Sequence, residues 1–417
     1  MRQKTISNNL TNRRRLTGLL LIVTPFLLGG SCGEETAPPA PTAPLTWQAA
    51  FGGILEDQGL DVERVAGGYV AAGWSSSFGP GAEDAYLVKA DDAGNMLWEA
   101  NYGGSATDIA RALVVADDGG LVAAGVTSSS GLGGMDMYMF KTAANGSLLW
   151  EKTFGGVDDD EAFGLLKTAD GGYLVVGSSV TFGGGTLKTA YLVKTDAAGT
   201  LQWQTSYTFP GTDFIGYDVI PSGDGGYLII GESVPVVVGW SEVYLARVDS
   251  AGGVIWERSF GGQVNDRGNG IVSTSDGGFV IVGTTTSFGA VGEDIYVLRT
   301  NSVGDSILWQ RTFGGAGADR GEAVSATADG GFIISGTKTL GVLSGSQAYL
   351  LKIDGSGALV WDRSYGGSAF EDGSGMALST DGGYVIVGAT TSIGAGSEDL
   401  YLVKTDASGV LNLPGGQ

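Results

Sequence analysis

The sequence predicts an all-β fold: a seven-bladed β-propeller of four-stranded antiparallel blades, closed by an N-terminal strand that completes the last blade. Three observations carry this expectation. Tryptophan recurs at Trp47, Trp98, Trp150, Trp203, Trp256, Trp309 and Trp361, with Leu413 at the next step, always 51 to 53 residues apart. Around them lies roughly the same text, W-x-x-x-[FY]-G-G, then D-G-G-[YF], then Y-x-x-[KR]. The 74 glycines show no G-X-Y period and fall between short β-prone runs, where they serve turns. A repeat of this length with short strands and glycine turns makes a radial or stacked β architecture.

The sixth repeat shows how one blade is written. Glu322 to Thr327 is strand-like and ends at Asp329-Gly330-Gly331, and Phe332 to Gly336 is a second, strongly β-prone run. Tyr349 to Ile353 forms a third strand after a variable loop, and Asp354-Gly355-Ser356-Gly357 turns the chain into a last strand, Ala358 to Tyr365. Four short strands joined by glycine-bearing turns give an antiparallel meander. Such meanders bury both faces only by packing against one another around an axis. The chain enters the repeat at a last-strand fragment, Leu45 to Gly53, and its final third strand is Tyr401 to Thr405. Leu45–Phe51 is therefore expected to supply the outer strand of blade seven, leaving no open edge.

Ahead of the propeller, expected over 45–417, two further segments are legible. Arg2, Lys4 and Arg13-Arg14-Arg15 precede an apolar run from Leu16 to Leu28 and then Gly29-Gly30-Ser31-Cys32. This reads as an export signal over 1–31, and a cysteine directly after small residues resembles a bacterial lipoprotein lipobox. Cys32 is then the lipidation site, and 32–44 is a proline-rich tether. At ~3.1 Å per residue that tether holds the domain up to roughly 40 Å from a bilayer.

Composition excludes several chemistries. The chain has no histidine, so imidazole acid–base catalysis, His-based triads and His metal sites are absent. Its single cysteine, Cys32, leaves no disulfide within the chain and no thiolate zinc site. Without residues 1–31 the chain keeps 45 acidic residues and 18 of its 23 basic ones, a net charge of −27. That excess repels nucleic acid and anionic lipid, so the expected contact with a membrane is through the anchor alone.

The runs Asp84-Ala85-Tyr86-Leu87-Val88-Lys89 and Asp399-Leu400-Tyr401-Leu402-Val403-Lys404 resemble the D-[AS]-[FY]-x-x-K unit of the bacterial SBBP-type β-propeller repeat family. The resemblance spans about 45–413. It implies the propeller fold and no particular activity.

Three sets of polar residues repeat in every blade. Tyr86, Tyr138, Tyr191, Tyr244, Tyr296, Tyr349 and Tyr401 are each followed three residues on by a base, Lys89, Lys141, Lys194, Arg247, Arg299, Lys352 and Lys404. A position identical in every blade reads as packing and hydrogen bonding between blades. An acidic residue also opens each first strand: Asp57, Asp108, Asp160, Asp213, Asp266, Asp319 and Glu371. These side chains either accept N–H bonds in the turn between blades or form a ring of oxygen ligands for Ca²⁺. No other cofactor is expected.

Departures from the repeat are the better candidates for function. The loops Ser75 to Glu83, Val180 to Lys188, Ser233 to Ser241 and Lys338 to Gln347 vary, and strand alternation puts them on the face of the acidic turns. The aromatics expected there as ligand-binding residues are Trp74, Phe78, Phe182, Trp240 and Phe288, with blade four the most aberrant. Exposed aromatics stack on sugars or anchor proteins. The expectation is an exported, lipid-anchored monomer in the cell envelope, at a bacterial outer membrane. It serves as a non-catalytic protein- or glycan-binding or scaffold module, with no catalytic residue. The alternative is a carbohydrate-active hydrolase or lyase that uses carboxylates of the acidic face.

Overall fold

The structure, a computed structural model, describes residues 45–208, 211–341 and 345–413. The expected signal segment, the tether and Cys32 lie outside the described residues.

Seven sheets of four antiparallel strands make up the propeller, and one 3-10 turn, Thr181–Gly183, is the only helical element among the described residues. Blade one runs Asp57–Val65, Gly68–Ser75, Asp84–Ala90 and Met96–Tyr102, from the axis outward. Its second and third strands carry Val70, Ala72, Leu87 and Val88 on both faces, all buried, because a neighbouring blade covers each side. In blade two every residue of Leu121–Thr127 and Asp136–Thr142 is buried. The fourth strand, Leu148–Phe154, has no buried residue and is half-buried or exposed throughout, as an outer rim is. Each buried Val, Leu or Ile in these layers is worth roughly 1.5–3 kcal/mol.

The tryptophan period is an inter-blade contact. Each outer-strand tryptophan lies beneath the turn between third and fourth strands of the next blade, where a glycine with positive φ closes the turn. A Cβ on Gly146 (φ 83°) would sit 3.2 Å from the Trp98 ring, and one on Gly409 (φ 72°) 2.6 Å from Trp361. Only glycine adopts that backbone without strain and also leaves room for the indole. Trp47 meets Gly94 of blade one in the same way and donates its Nε1–H to the Asp92 carbonyl at 2.9 Å.

Trp47 belongs to blade seven. The strand Trp47–Phe51 pairs antiparallel with Asp399–Lys404, from Trp47 opposite Lys404 to Phe51 opposite Leu400. The Tyr401 hydroxyl donates to Gln48 Oε1 at 2.7 Å, as the Tyr138 hydroxyl donates to Glu151 Oε2 at 2.7 Å inside blade two. Beyond the sheet, Thr46 Oγ1 donates to the Asn412 carbonyl at 2.8 Å and accepts from the Asn412 amide. The first chain segment thus completes the last blade, as its sequence anticipates.

The basic residues of the third strands form their ion pairs within a blade, while Arg299 also donates to the Gly355 carbonyl of blade six at 2.9 Å. Lys141, Lys194, Arg299, Lys352 and Lys404 reach back to the Asp-Gly-Gly turn, pairing with Asp118, Asp170, Asp276, Asp329 and Asp381 at 2.6–3.0 Å. Arg247 pairs likewise with Asp224. Blade one has Ala66 where the aspartate would stand, and Lys89 makes no ion pair among the described residues. The hydroxyls of the seven buried tyrosines also bond within their blades, each donating to a fourth-strand side chain such as Gln204, Glu257, Gln310 or Asp362. Their rings pack between blades, Tyr86 in one cluster with Val387 and Leu400 of blade seven.

Deleting residues 45–53 is expected to expose the edge of Asp399–Lys404 and lower the melting midpoint by roughly 10 °C or more. A calorimetric scan with an unchanged midpoint would show that the seam contributes nothing to closure.

Candidate functional site: the axial channel

The first strands carry a feature that the repeat text hides. In six blades the pairing of first and second strands slips by one residue, at Gly59/Asp61, Ala110/Ala112, Ala162/Gly164, Gly216/Asp218, Gly268/Gly270 and Gly321/Ala323. The extra residue of each β-bulge is Leu60, Arg111, Phe163, Tyr217, Asn269 or Glu322. A bulge re-aims a side chain out of the sheet, and here it aims toward the axis. In blade seven Ser374 stands at this place, between Gly373 and Gly375. All seven residues line a single cavity of 480 Å³ on the propeller axis.

Small neighbours make the arrangement possible. A Cβ on Gly216 would lie 2.5 Å from Val176 Cγ2 of the preceding blade, and one on Gly321 2.5 Å from Val282 Cγ2. Glycine or alanine beside the bulge lets adjacent blades converge, while the bulged residue is left free to be anything. No two of the seven are alike: leucine, arginine, phenylalanine, tyrosine, asparagine, glutamate and serine.

Three of them form a continuous stack. The Arg111 guanidinium lies 4.5 Å from the centroid of the Phe163 ring, and Phe163 meets Tyr217 edge-on at 5.2 Å. Arg111 donates to Glu161 Oε2 at 2.9 Å, and Lys188 donates to Glu161 Oε1 at 3.0 Å. Burial raises the Glu161 carboxyl, but the two cations together hold it below the usual glutamate range. The Tyr217 hydroxyl donates to Glu232 Oε1 at 2.8 Å; burial and that carboxylate push the phenol well above its ordinary value. It is therefore no base at neutral pH.

Across the channel, Asn269 Nδ2 donates to Glu322 Oε2 and to the Gly321 carbonyl, both at 2.9 Å. Burial pushes Glu322 up to about 7, against the opposing charges of Arg267 and Arg320. Asp61 and Asp218 are pushed up to about 6, again by burial. Their oxygens are already engaged: Asp61 accepts from the amides of Val62 and Leu113, and Asp218 from those of Val219 and Ile271. Each thereby staples its blade to the next. A second cavity of 290 Å³ opens beside the channel between Glu232, Arg267 and Glu293.

The turns take one oxygen of each ring carboxylate, and the second oxygen of Asp57, Asp108 and Asp160 is buried without a partner among the described residues. Asp57, Asp108, Asp160, Asp266 and Asp319 accept the amides of Gly53, Gly104, Gly156, Gly262 and Gly315 at 2.6–2.7 Å, and Glu371 accepts that of Gly367 at 2.9 Å. Asp213 is not a member of the ring. Phe214 takes the equivalent place, its amide donating to the Lys188 carbonyl as Asp57 donates to Glu398. Blade four lacks the Gly-Gly turn that a carboxylate would cap, and Phe214 packs instead on Tyr244 at 4.8 Å. No group of three acidic or other metal-ligating side chains converges among the described residues.

Of the loop aromatics, three turn out to be repeated. Phe78, Phe182 and Phe288 fold back onto Tyr86, Tyr191 and Tyr296, with ring centroids 5.0–5.9 Å apart. Trp74 is half-buried near the channel and donates to Gln58 Oε1 at 3.1 Å, while Gln58 donates to Asp372. Trp240 lies apart on the blade-four loop, 37% exposed beside Val237, which is 95% exposed. Neither tryptophan lines the axial cavity. The bulge residues carry one sequence signal, shared with the column at the far end of the strand (Arg64, Val115, Lys167, Pro221, Ser273, Ala326, Leu378): no two repeats agree there.

No protein-family model and no curated protein sequence matches the chain. Several solved structures share its fold. An ulvan lyase from a polysaccharide lyase family aligns with a TM-score of 0.56 at 12% identity, over 86% of this chain and 96% of that one. The polysaccharide lyase Uly1 aligns with 0.52 at 11% identity, over 89% and 94%. The WD40 domain of Neurospora crassa Pan2 gives 0.51 at 11% identity, over 87% and 96%. At this identity the likeness is one of fold.

Glu322 generates a pH-dependent prediction. Its carboxyl titrates near 4.5 when unfolded and about 7 when folded, so the folded state holds a proton that the unfolded state has lost in between. Stability from this group is complete below pH 4.5, falls as pH rises to 7, and stays low above. Glu322→Gln keeps an acceptor for Asn269 and removes the charge. It is expected to melt with the wild type at pH 4.5 and above it at pH 8, by an amount on the order of 2–3 kcal/mol. A difference independent of pH would place the Glu322 proton elsewhere.

Proposed function

We propose that this chain is an exported, lipid-anchored propeller of the SBBP type that binds a glycan at the mouth of its axial channel without transforming it. One observation carries the reading. In a molecule whose framework polar positions repeat blade after blade, seven different side chains converge on one cavity. An aromatic pair with a stacked guanidinium offers faces for a sugar ring, and Asn269, Ser374 and Glu322 offer hydrogen bonds to its hydroxyls. Two of the similar propellers are named as polysaccharide lyases, which fits a scaffold of this layout accommodating a polysaccharide.

Catalysis has less support. Glycoside hydrolysis in its common form needs two available carboxyls. Glu322 carries a proton near neutrality, but Asp61 and Asp218 have their oxygens tied to backbone amides. A base for lyase chemistry is not supplied by Tyr217, whose phenol is raised. A protein partner remains the second reading, supported by the exposed Val237 and Trp240 of the blade-four loop.

The test is a glycan screen of the purified chain with and without Ca²⁺, followed by titration of the best ligand. Arg111→Ala and Phe163→Ala are each expected to weaken binding about tenfold or more with little change in melting. Unchanged affinity in both would remove the site from the axis, and loss only in Trp240→Ala would move it to the blade-four loop. New reducing or unsaturated ends in the same incubations would establish an enzyme. For the anchor, Cys32→Ser is expected to shift the protein from the membrane to the soluble fraction, and membrane retention of the variant would count against lipidation.

A further inference from the structure

Nine arginines lie between residues 45 and 413. Eight donate a hydrogen bond to a named partner: Arg64, Arg111, Arg247, Arg258, Arg299, Arg311, Arg320 and Arg363. Arg267 donates none among the described residues, forms no ion pair, and has its Nε buried without a partner. The contrast with Arg320 is direct. Both follow the acidic residue that opens a first strand, in blades five and six, and Arg320 is paired with Glu293 at 2.7 Å. An orphaned guanidinium at an inner strand needs an explanation.

Position supplies one. Arg267 lines both the axial cavity of 480 Å³ and the neighbouring cavity of 290 Å³, and no other residue lines both. It sits two residues before Asn269, and its charge acts on both Tyr217 and Glu322. We infer that Arg267 is the anion-binding element of this site and receives the carboxylate of an acidic sugar residue whose ring lies in the channel. The inference rests on the glycan-binding reading above and narrows it to uronate-type ligands.

The chemistry favours a carboxylate. A planar guanidinium and a planar carboxylate join through two parallel hydrogen bonds, a match that a point charge does not make. The nearby carboxylates do not already fill that role, since Glu232 accepts from Tyr217, and Glu293 is held by Arg320. The field of the whole chain selects further. A net charge of −22 repels densely charged polyanions such as nucleic acids and polyphosphates. A glycan with one carboxylate per sugar meets that repulsion least and still satisfies a single local cation. Asn269, Tyr217 and Glu322 surround the position with groups suited to the hydroxyls of the same ring.

The experiment compares four probes by calorimetry on the purified full chain: a galacturonate and a glucuronate oligosaccharide, and each again with its carboxyls reduced to alcohols. At least one acidic form is expected to bind about tenfold or more tightly than its reduced counterpart. In Arg267→Gln that preference is expected to vanish while the reduced form binds as before, and Arg267→Lys is expected to restore part of it. Melting of each variant checks its fold. Should Arg267→Gln not fold, the lysine variant and the wild-type comparison decide alone. Equal affinity for acidic and reduced forms, or a preference that survives in Arg267→Gln, overturns the anionic subsite and leaves the glycan reading standing. Binding of none of the four probes while neutral glycans bind also overturns the subsite alone. Binding of no glycan of either kind overturns both readings together.

Discussion

Seven wedge-shaped sheets share an axis only if each is thin where they meet. The first strands meet this constraint with glycine or alanine at Gly59, Ala110, Ala162, Gly216, Gly268 and Gly321, where an added Cβ runs into the preceding blade at the glycine positions. The bulge next to each of these residues follows from the same geometry, because a strand that must bend at the narrow end of a wedge releases one residue from the ladder. Blade convergence and a channel lined by unconstrained side chains are therefore two results of one steric requirement.

Elsewhere many of the repeated polar residues bond to one another or to the backbone of their own blade. Carboxylates that open the first strands cap the turns before them, tyrosine hydroxyls find acceptors on the fourth strand, and third-strand cations find the Asp-Gly-Gly turn. Single oxygens of Asp57, Asp108 and Asp160 are the exceptions, buried without a partner among the described residues. The bulge column differs in that its members answer to no framework partner common to all blades. This is why Arg111 stacks on Phe163 while Asn269 pairs with Glu322, contacts between neighbouring bulge residues that differ from blade to blade.

The sequence declares the fold because period, turn chemistry and strand propensity all depend on local residue order. Trp47 before Gly52-Gly53, and Tyr401 before Lys404, suffice to place the seam. The site was harder to read for a physical reason. A bulge is a property of pairing between two strands, and nothing in Ala162-Phe163-Gly164 alone tells that Phe163 leaves the sheet. Asp213 illustrates the same limit, since counting from the tryptophan puts it in the acidic ring, whereas registry with Ser233 gives that place to Phe214. The loop phenylalanines misled in the opposite way: exposed by hydrophobic pattern, they are claimed by tyrosines that lie far off in sequence terms only for a reader who does not fold the hairpin.

The seam between Trp47–Phe51 and Asp399–Lys404 spans nearly the whole chain, with Gln48 and Tyr401 separated by 353 residues. Every other blade is complete within one repeat and forms from neighbouring segments as soon as they exist. The first strand has no partner until the last hairpin arrives, so the growing molecule passes through an open arc with an unsatisfied strand at one end and an unsatisfied sheet at the other. Those two ends are complementary in any pair of copies. Crowded together before closure, two arcs can exchange first strands and lock as an intertwined pair, so for this protein the solitary ring is favoured by dilution and by prompt arrival of its own C-terminal hairpin.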